Sequence, residues 1–221
     1  MRIPQKEGSR GSLKFIQRLV SGRPALLDAR LREAGAIPPG VEVRWVSPRV
    51  DDDWAEYRDS AFLERVGRGD LVADLRAFWP SRGPQWDALG IAGDAVLLVE
   101  AKAHVGELVS TCTAKSPRSR SMIAKAFYET KTALGAGADC NWLSGYYQLA
   151  NRLAHLEFLR RRGVDARLVL LQFTGDTGMP TPSTRKAYRA ALDVALAHLG
   201  FEPSATIPDV VHIYVDVAEL E

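Results

Sequence analysis

The chain has 221 residues, of which 46% are hydrophobic and 25% charged, with a formal net charge of +2. This composition is that of a globular protein with one sizeable core, and it excludes a disordered or fibrous chain. No apolar run reaches membrane-span length and no signal-peptide pattern opens the sequence, so we expect one cytoplasmic domain over residues 1–221. The two cysteines, Cys112 and Cys140, lack metal-site spacing and are expected to be free thiols.

Residues 1–23 form a basic segment that contains a single acidic residue, Glu7. Its cations are Arg2, Lys6, Arg10, Lys14, Arg18 and Arg23. A basic arm of this kind attracts phosphates non-specifically. A solvated tail followed by an amphipathic helix over about 13–20 is the alternative interpretation. The short alternating stretch over 41–46 then predicts an edge strand.

Two elements are predicted between this segment and the middle of the chain. The apolar spacing from Asp53 to Val66 predicts a helix, and Asp53-x-x-Glu56 has the form of a capping box at its start. The apolar run from Leu71 to Phe78 predicts a strand, followed by a Gly/Pro-rich loop over 79–84.

The stretch from 86 to 104 predicts a β-hairpin. Gly93-Asp94 suits a two-residue hairpin turn, and a β-branched apolar run follows it. If these two residues are the whole loop, then residues at equal distances before and after it face each other across the two strands. This register places Asp87 opposite Glu100. Both faces of the second strand are apolar up to its C-terminal end, which predicts a central strand covered on each side.

Three charged groups meet at the end of this strand. Glu100 and Lys102 point to the same face because side chains alternate along a strand. Two opposed carboxylates, Asp87 and Glu100, are destabilising unless a cation lies between them. Hard oxygen ligands beside one lysine suit Mg²⁺ or Mn²⁺. The alternative is a buried salt-bridge network around Lys102, which would leave one negative charge uncompensated.

The second half of the chain predicts a loop and five further elements. Residues 106–120 are expected to form an exposed loop that could hold phosphates through Lys115, Arg118 and Arg120, or could simply be solvated. The expected elements that follow are helices over 121–134 and 141–162, a strand over 166–173, a helix over 184–199 and a strand over 210–217. Gln148, Arg152 and His155 lie on neighbouring positions of the longest helix.

An Asp entering one strand and Glu-x-Lys ending the next resembles the PD-(D/E)XK nuclease superfamily. The matching residues are Asp87 and Glu100-Ala101-Lys102, and the resemblance covers about Asp53 to Phe173. One departure is visible, since Trp86 stands where many members have a proline. The resemblance implies a restriction-endonuclease-like fold, an α/β three-layer sandwich with a central mixed β-sheet flanked by helices.

The resemblance also implies roles for residues outside the hairpin. Superfamily members usually place a glutamate on a helix before the hairpin, for which Glu56 is the candidate, with Glu64 as the alternative. A later helix often brings a Gln, Arg or Lys to the site, here Gln148 and Arg152, which could hold the scissile phosphate of the nucleic acid or the nucleophilic water. The implied metal ligands are Asp87, Glu100, the carbonyl of Ala101 and Glu56. A structural hydrogen bond between Gln148 and Arg152 is the competing account, and for His155 a surface or packing role is favoured over ligation.

The function expected from these residues is metal-dependent hydrolysis of nucleic acid phosphodiesters. DNA is the expected nucleic acid, although nothing in the sequence separates it from RNA, and a homodimer stays open. Two other functions stay open as well. One is a non-catalytic nucleic-acid-binding or scaffold module on the same fold, and the other is a metal-dependent enzyme acting on a small phosphorylated substrate.

Overall fold

The structure is a computed structural model that describes residues 1–178, 183–202 and 205–221. Within them the α-helices are α1 (Gly11–Gly22), α2 (Pro24–Glu33), α3 (Ser60–Arg65), α4 (Val72–Phe78), α5 (Pro117–Leu134), α6 (Tyr147–Arg160) and α7 (Arg185–His198). The strands are β1 (Arg2–Ile3), β2 (Arg44–Ser47), β3 (Glu56–Tyr57), β4 (Ala88–Ala92), β5 (Ala95–Lys102), β6 (Ala166–Thr174) and β7 (Val210–Asp216). None of the described helices is both long and apolar enough to cross a bilayer.

Five strands form the central sheet, in the order β2-β4-β5-β6-β7. The β2-β4 and β4-β5 pairs are antiparallel, whereas the β5-β6 and β6-β7 pairs are parallel. The predicted mixed central sheet is therefore confirmed, and β5 lies at its centre. A separate two-stranded sheet pairs β1 with β3.

Helices cover both faces of the sheet. On one face, apolar residues of α1 and α2 pack with Leu97, Val99 and Ala101 of β5. On the other face, apolar residues of α5 and α6 pack with Val96 and Leu98. Every residue of β5 is buried, as expected for a strand sandwiched between two layers. The predicted α/β architecture with helices flanking the sheet is confirmed.

The hairpin forms in the predicted register. Ala92 pairs with Ala95 across the two-residue turn, and the pairing continues outward to Ala88 and Val99. Gly93 has φ +61°, in the left-handed region that a tight hairpin turn uses and that glycine adopts at little cost.

The predicted helix over 53–66 is wrong in its first half. Asp53, Trp54 and Asp59 all have positive φ angles, which no α-helix accommodates. The chain instead runs through β3, and the helix α3 begins only at Ser60. The capping box is therefore absent: Asp53 accepts a hydrogen bond from Arg2, and Glu56 lies in a strand.

The predicted strand over 71–78 is also wrong, because these residues form a short 3₁₀ turn and then α4. Leu71, Leu75 and Trp79 are buried, whereas Asp74 and Arg76 are exposed. Burial at every fourth position is a helical period, so the apolar run faces the core along a helix.

Other boundaries shift by a few residues. The predicted loop over 106–120 is too long, since α5 begins at Pro117 behind an N-cap at Ser116. The predicted helix over 141–162 starts late, at Tyr147, so that Trp142 packs from the preceding segment. The helix α2 has no counterpart among the predicted elements. The bounds of α7 and β7 agree with the predicted ones to within one residue at each end.

Candidate active site

The hairpin register brings the three predicted charged groups together. Asp87 directly precedes β4 and stands one position beyond the last pair, opposite Glu100. Its Oδ2 accepts a hydrogen bond of 2.7 Å from the Ala101 main-chain N–H. Lys102 Nζ donates to Glu100 Oε1 at 2.6 Å. At the C-terminal end of β5, Glu100 and Lys102 are therefore in direct contact, and Asp87 is bonded to the main chain of the residue between them.

Arg152 lies within this cluster rather than on an exposed surface. Its Nε donates to Glu100 Oε2 at 2.6 Å, and its Nη2 donates to the main-chain carbonyl of Gln85 at 2.8 Å. Its guanidinium also stands over the Trp86 ring, 4.9 Å from the centroid. Both oxygens of Glu100 are thus paired with cations. The expected alternative of a structural hydrogen bond between Gln148 and Arg152 is wrong, because Arg152 donates to Glu100, Asn151 and Gln85.

Glu56 supplies a third carboxylate from a different element than predicted. It is buried in β3, where its Oε2 accepts hydrogen bonds from the side-chain amides of Gln85 and, at 3.3 Å, Gln5. Glu64 is exposed on α3 and does not line the cavity whose floor these clustered residues form. The resemblance implies a glutamate on a helix, with Glu56 and Glu64 as the candidates. Glu56 reaches the cluster and Glu64 does not, but Glu56 lies on a strand and not on a helix.

Gln148 joins the cluster from the first turn of α6. Its Oε1 accepts a hydrogen bond of 3.1 Å from Lys102 Nζ, so the ammonium is shared between Glu100 and Gln148. Its main-chain N–H donates to Ser110 Oγ at 2.8 Å. This second bond satisfies one of the free amides at the helix start and holds Gln148 in place.

Burial and charge act differently on the clustered groups. Burial, together with the neighbouring Glu100 and Glu56, raises the pKa of Asp87 well above its usual range. Burial also raises the pKa of Glu56, with a contribution from Glu100. For Glu100, burial is outweighed by Arg152 and Lys102, which lower its pKa. Burial acts to lower the pKa of Lys102, but Glu100 and Asp87 stabilise its positive charge more strongly. The pKa of Lys102 is therefore raised. Lys102 is therefore a fixed cation.

The clustered residues form the floor of a cavity of about 940 Å³. One wall is the loop over 79–85 and the other is the segment over 110–119. Lys115 lines this cavity, whereas Arg118 lines an adjoining groove and Arg120 donates to the Ala114 carbonyl at 3.3 Å. Of the four cations predicted to bind nucleic acid, Lys115 and Arg152 thus line the cavity and Arg118 lines the groove, whereas Arg120 lines neither. Their role stays a prediction.

A divalent ion suits the donor set of this floor. Within the described ranges no three His, Cys, Asp or Glu side chains form a ready metal cluster. Mg²⁺ needs fewer, since it usually binds one or two carboxylates and keeps several waters. Three carboxylates face two cations here, and burial together with the neighbouring Glu100 and Glu56 raises the pKa of Asp87. Ala101 packs its methyl on the opposite face of the sheet, so its main chain is what lines the cavity.

His155 is a packing residue, as the sequence favoured. Its ring is buried among Phe62, Phe78, Trp79 and Trp86, with centroids 4.8 to 6.3 Å away. Burial lowers its pKa to about 3. The imidazole is therefore neutral at physiological pH and is not a member of the charged cluster.

We expect this histidine to make the fold sensitive to acid. The unfolded chain takes up the proton near pH 6.5 but the native chain only near pH 3, so stability falls as pH drops between these values. The slope contributed is about 1.4 kcal/mol per pH unit. Urea unfolding of wild type and His155→Phe between pH 6 and pH 4.5 measures it. An unchanged slope in the variant would contradict a neutral buried imidazole.

Two residues of the site, Gln85 and Gln5, lie outside the set that the sequence predicts. Gln85 binds Glu56 through its side chain and Arg152 through its carbonyl, and its position two residues before Asp87 was an available signal. Gln5 reaches Glu56 only because β1 pairs with β3, which no local pattern indicates.

No protein-family model matches the chain, and comparison with curated proteins and with solved structures finds no significant match to either.

Proposed function

We propose that the protein is a Mg²⁺- or Mn²⁺-dependent nuclease with a restriction-endonuclease-like fold. The observation that carries the proposal is the in-register meeting of Asp87 with Glu100 and Lys102, at the floor of a cavity that Glu56 also lines. A structural salt bridge alone accounts for Glu100, Lys102 and Arg152. It does not account for Asp87, whose charge is opposed by both neighbouring carboxylates.

In this mechanism Asp87, Glu100 and the carbonyl of Ala101 would hold the ion, and Glu56 would hold a second ion or a bound water. A bound divalent ion polarises the phosphate and lowers the pKa of its water, which makes hydroxide available near neutral pH. Lys102 would face the reacting phosphate with its positive charge and would stabilise the charge that grows on the pentavalent transition state.

Gln148 acts on the same ammonium. Its Oε1 accepts a hydrogen bond from Lys102 Nζ and so fixes the direction in which the charge is presented. Because the pKa of Lys102 is raised, the ammonium orients the nucleophilic water and does not remove its proton.

The second candidate function is a non-catalytic nucleic-acid-binding module on the same fold. One observation favours it, namely that both oxygens of Glu100 are already paired with cations. The two candidates differ in whether the floor binds a divalent ion and whether nucleic acid is cleaved.

The test is calorimetric titration with Mn²⁺ and Mg²⁺ of wild type, Asp87→Asn and the control Asp94→Asn in the exposed hairpin turn. We expect binding to wild type and the control and at least about tenfold weaker binding to Asp87→Asn. Incubation of wild type with labelled DNA and RNA then tests cleavage. Equal metal binding by all three proteins, or binding without cleavage of either polymer, would count against the nuclease.

The same variant has an expected effect on stability. Asparagine still accepts the hydrogen bond from the Ala101 N–H but carries no charge, so in EDTA at pH 7 Asp87→Asn should be more stable than wild type by about 1 kcal/mol. Because the pKa of Asp87 is raised in the folded chain, wild type loses stability as pH rises from about 4, where this carboxyl ionises in the unfolded chain, through its higher pKa in the folded chain. Added Mg²⁺ should raise the unfolding temperature of wild type and not of the variant. A less stable variant in EDTA would contradict the repulsion at Asp87.

A further inference from the structure

The reactive groups lie deep in the cavity rather than on an open surface. The exposed fractions of the Glu100, Lys102 and Arg152 side chains are 6%, 11% and 5%. A phosphate therefore has to descend between the two walls to contact Lys102. Duplex DNA is stiff over about 150 bp, whereas a single strand bends at each nucleotide.

The first wall is held in place from both ends. Trp79, its first residue, and Trp86, which directly follows it, are both buried. The main-chain N–H groups of Arg82 and Gly83 donate to the Asp59 carboxylate at 3.3 and 2.9 Å. Gln85 is bonded to both Glu56 and Arg152. Swinging this wall aside for a duplex would break these hydrogen bonds.

The second wall is tied to the segment before α6. Ser110 N–H donates to the Gly145 carbonyl at 2.7 Å, and Cys112 N–H donates to the Leu143 carbonyl at 2.8 Å. Ser110 also accepts the hydrogen bond from the Gln148 N–H at its hydroxyl. Widening the cavity would break these bonds together with the positioning of Gln148.

The cavity continues into a side groove of about 350 Å³. The two share lining residues at their junction, namely Trp79, Pro80, Ser81 and Ser119. The groove then runs on to Arg76, Arg118 and Met122. A chain that enters the cavity therefore has a continuous path past Ser81 and Ser119.

Positive charge along this path is available to a ligand. Arg76 and Arg118 are exposed and make no ion pair or side-chain hydrogen bond with any residue that the structure describes. In the cavity the same holds for the side chains of Arg82 and Lys115. Among the described residues, Asp59 is the one acid that lines the groove. Its carboxylate already accepts the hydrogen bonds from the main-chain N–H groups of Arg82 and Gly83, and its Oδ2 lies 3.9 Å from Arg58 Nε.

We propose that the substrate is single-stranded nucleic acid, whose chain passes from the cavity past Ser81 and Ser119 into the side groove, where Arg76 and Arg118 bind its phosphates. The proposal rests on the proposed nuclease function. Grooves that carry single strands combine positive charge with a path that follows the backbone. The walls admit one strand to the floor, and a duplex has to be unpaired first.

The experiment compares one oligonucleotide sequence as a single strand, a blunt duplex and a duplex with a central unpaired bubble. With Mn²⁺ we expect the single strand and the bubble to be cleaved, and the blunt duplex at least about tenfold more slowly, because unpairing costs free energy. Duplex cleavage as fast as single-strand cleavage would overturn the inference and leave the nuclease standing. Cleavage of none of the three would overturn the nuclease.

Binding of the single strand is measured separately, by fluorescence anisotropy in EDTA over a range of salt concentrations. Arg76→Ala/Arg118→Ala should bind at least about tenfold more weakly, and its salt slope should fall by about 1.4, or 0.7 for each lost phosphate contact. Lys186→Ala/Arg189→Ala removes the same charge from α7, which lines neither cavity nor groove, and should bind as wild type does. Equal losses in the two double variants would overturn the path through the groove.

Discussion

Replacing Lys102 with methionine is expected to slow metal-dependent phosphodiester hydrolysis by about 10²–10³-fold while leaving metal affinity unchanged or higher. The methionine keeps an apolar stem of similar length in a buried position. It removes the charge that donates to Glu100 Oε1 and Gln148 Oε1. A competing cation is thereby lost from Glu100, so the floor should hold a divalent ion at least as well.

Single-turnover cleavage and metal titration of the same preparations separate these two effects. Lys125→Met is the matched control, since Lys125 is exposed on α5 with a distant ion-pair contact of 3.9 Å to Glu129. The control should cleave at the wild-type rate. If Lys102→Met loses metal binding in proportion to its rate, then the lysine organises the carboxylates and has no separate part in the transition state.

Replacing Arg152 with methionine is expected to lower the free energy of unfolding by about 3–5 kcal/mol. Its guanidinium donates to Glu100, to the Gln85 carbonyl and to Asn151 Oδ1. Removing it leaves these buried acceptors without a donor and Glu100 with Lys102 alone. Leaving buried polar groups unsatisfied is what makes breaking such a pair costly.

Arg160→Met on the same helix is the control. Arg160 is partly exposed and pairs with Asp209 at 2.8 Å, so its loss should cost no more than about 1 kcal/mol. Urea unfolding measures both variants, and the double variant Glu100→Gln/Arg152→Met should be less destabilised than the sum of the single changes. Equal costs for Arg152→Met and Arg160→Met would show that the buried pair contributes no more than a surface pair.

The parts of the site that were predictable depend on local pattern. A two-residue glycine turn determines the hairpin register, so Asp87, Glu100 and Lys102 could be brought together from sequence alone. Helical spacing placed Gln148 and Arg152 on one face of α6, even though the helix begins later than expected. In both cases the residues that fix the geometry are neighbours in the chain.

The predictions that are wrong concern backbone angles or contacts between residues far apart in the chain. Glu56 was assigned to a helix because nothing in the sequence shows that Asp53 and Trp54 adopt positive φ. Residues 72–78 form a helix where the pattern predicts a strand, because a short apolar run fits either period. The partner of Arg152 could not be read from α6, because Glu100 approaches it from the sheet across the core.

The position of β5 has a consequence for how the protein loses its site. This strand has sheet neighbours on both edges and a helical layer on both faces, so its amide hydrogens should exchange with solvent only when the whole chain unfolds. Glu100 and Lys102 are part of that strand, so the ion pair between them should persist until the central sheet unfolds. Heat inactivation should therefore coincide with global unfolding, and refolded molecules should recover the arrangement of the floor as soon as the sheet closes.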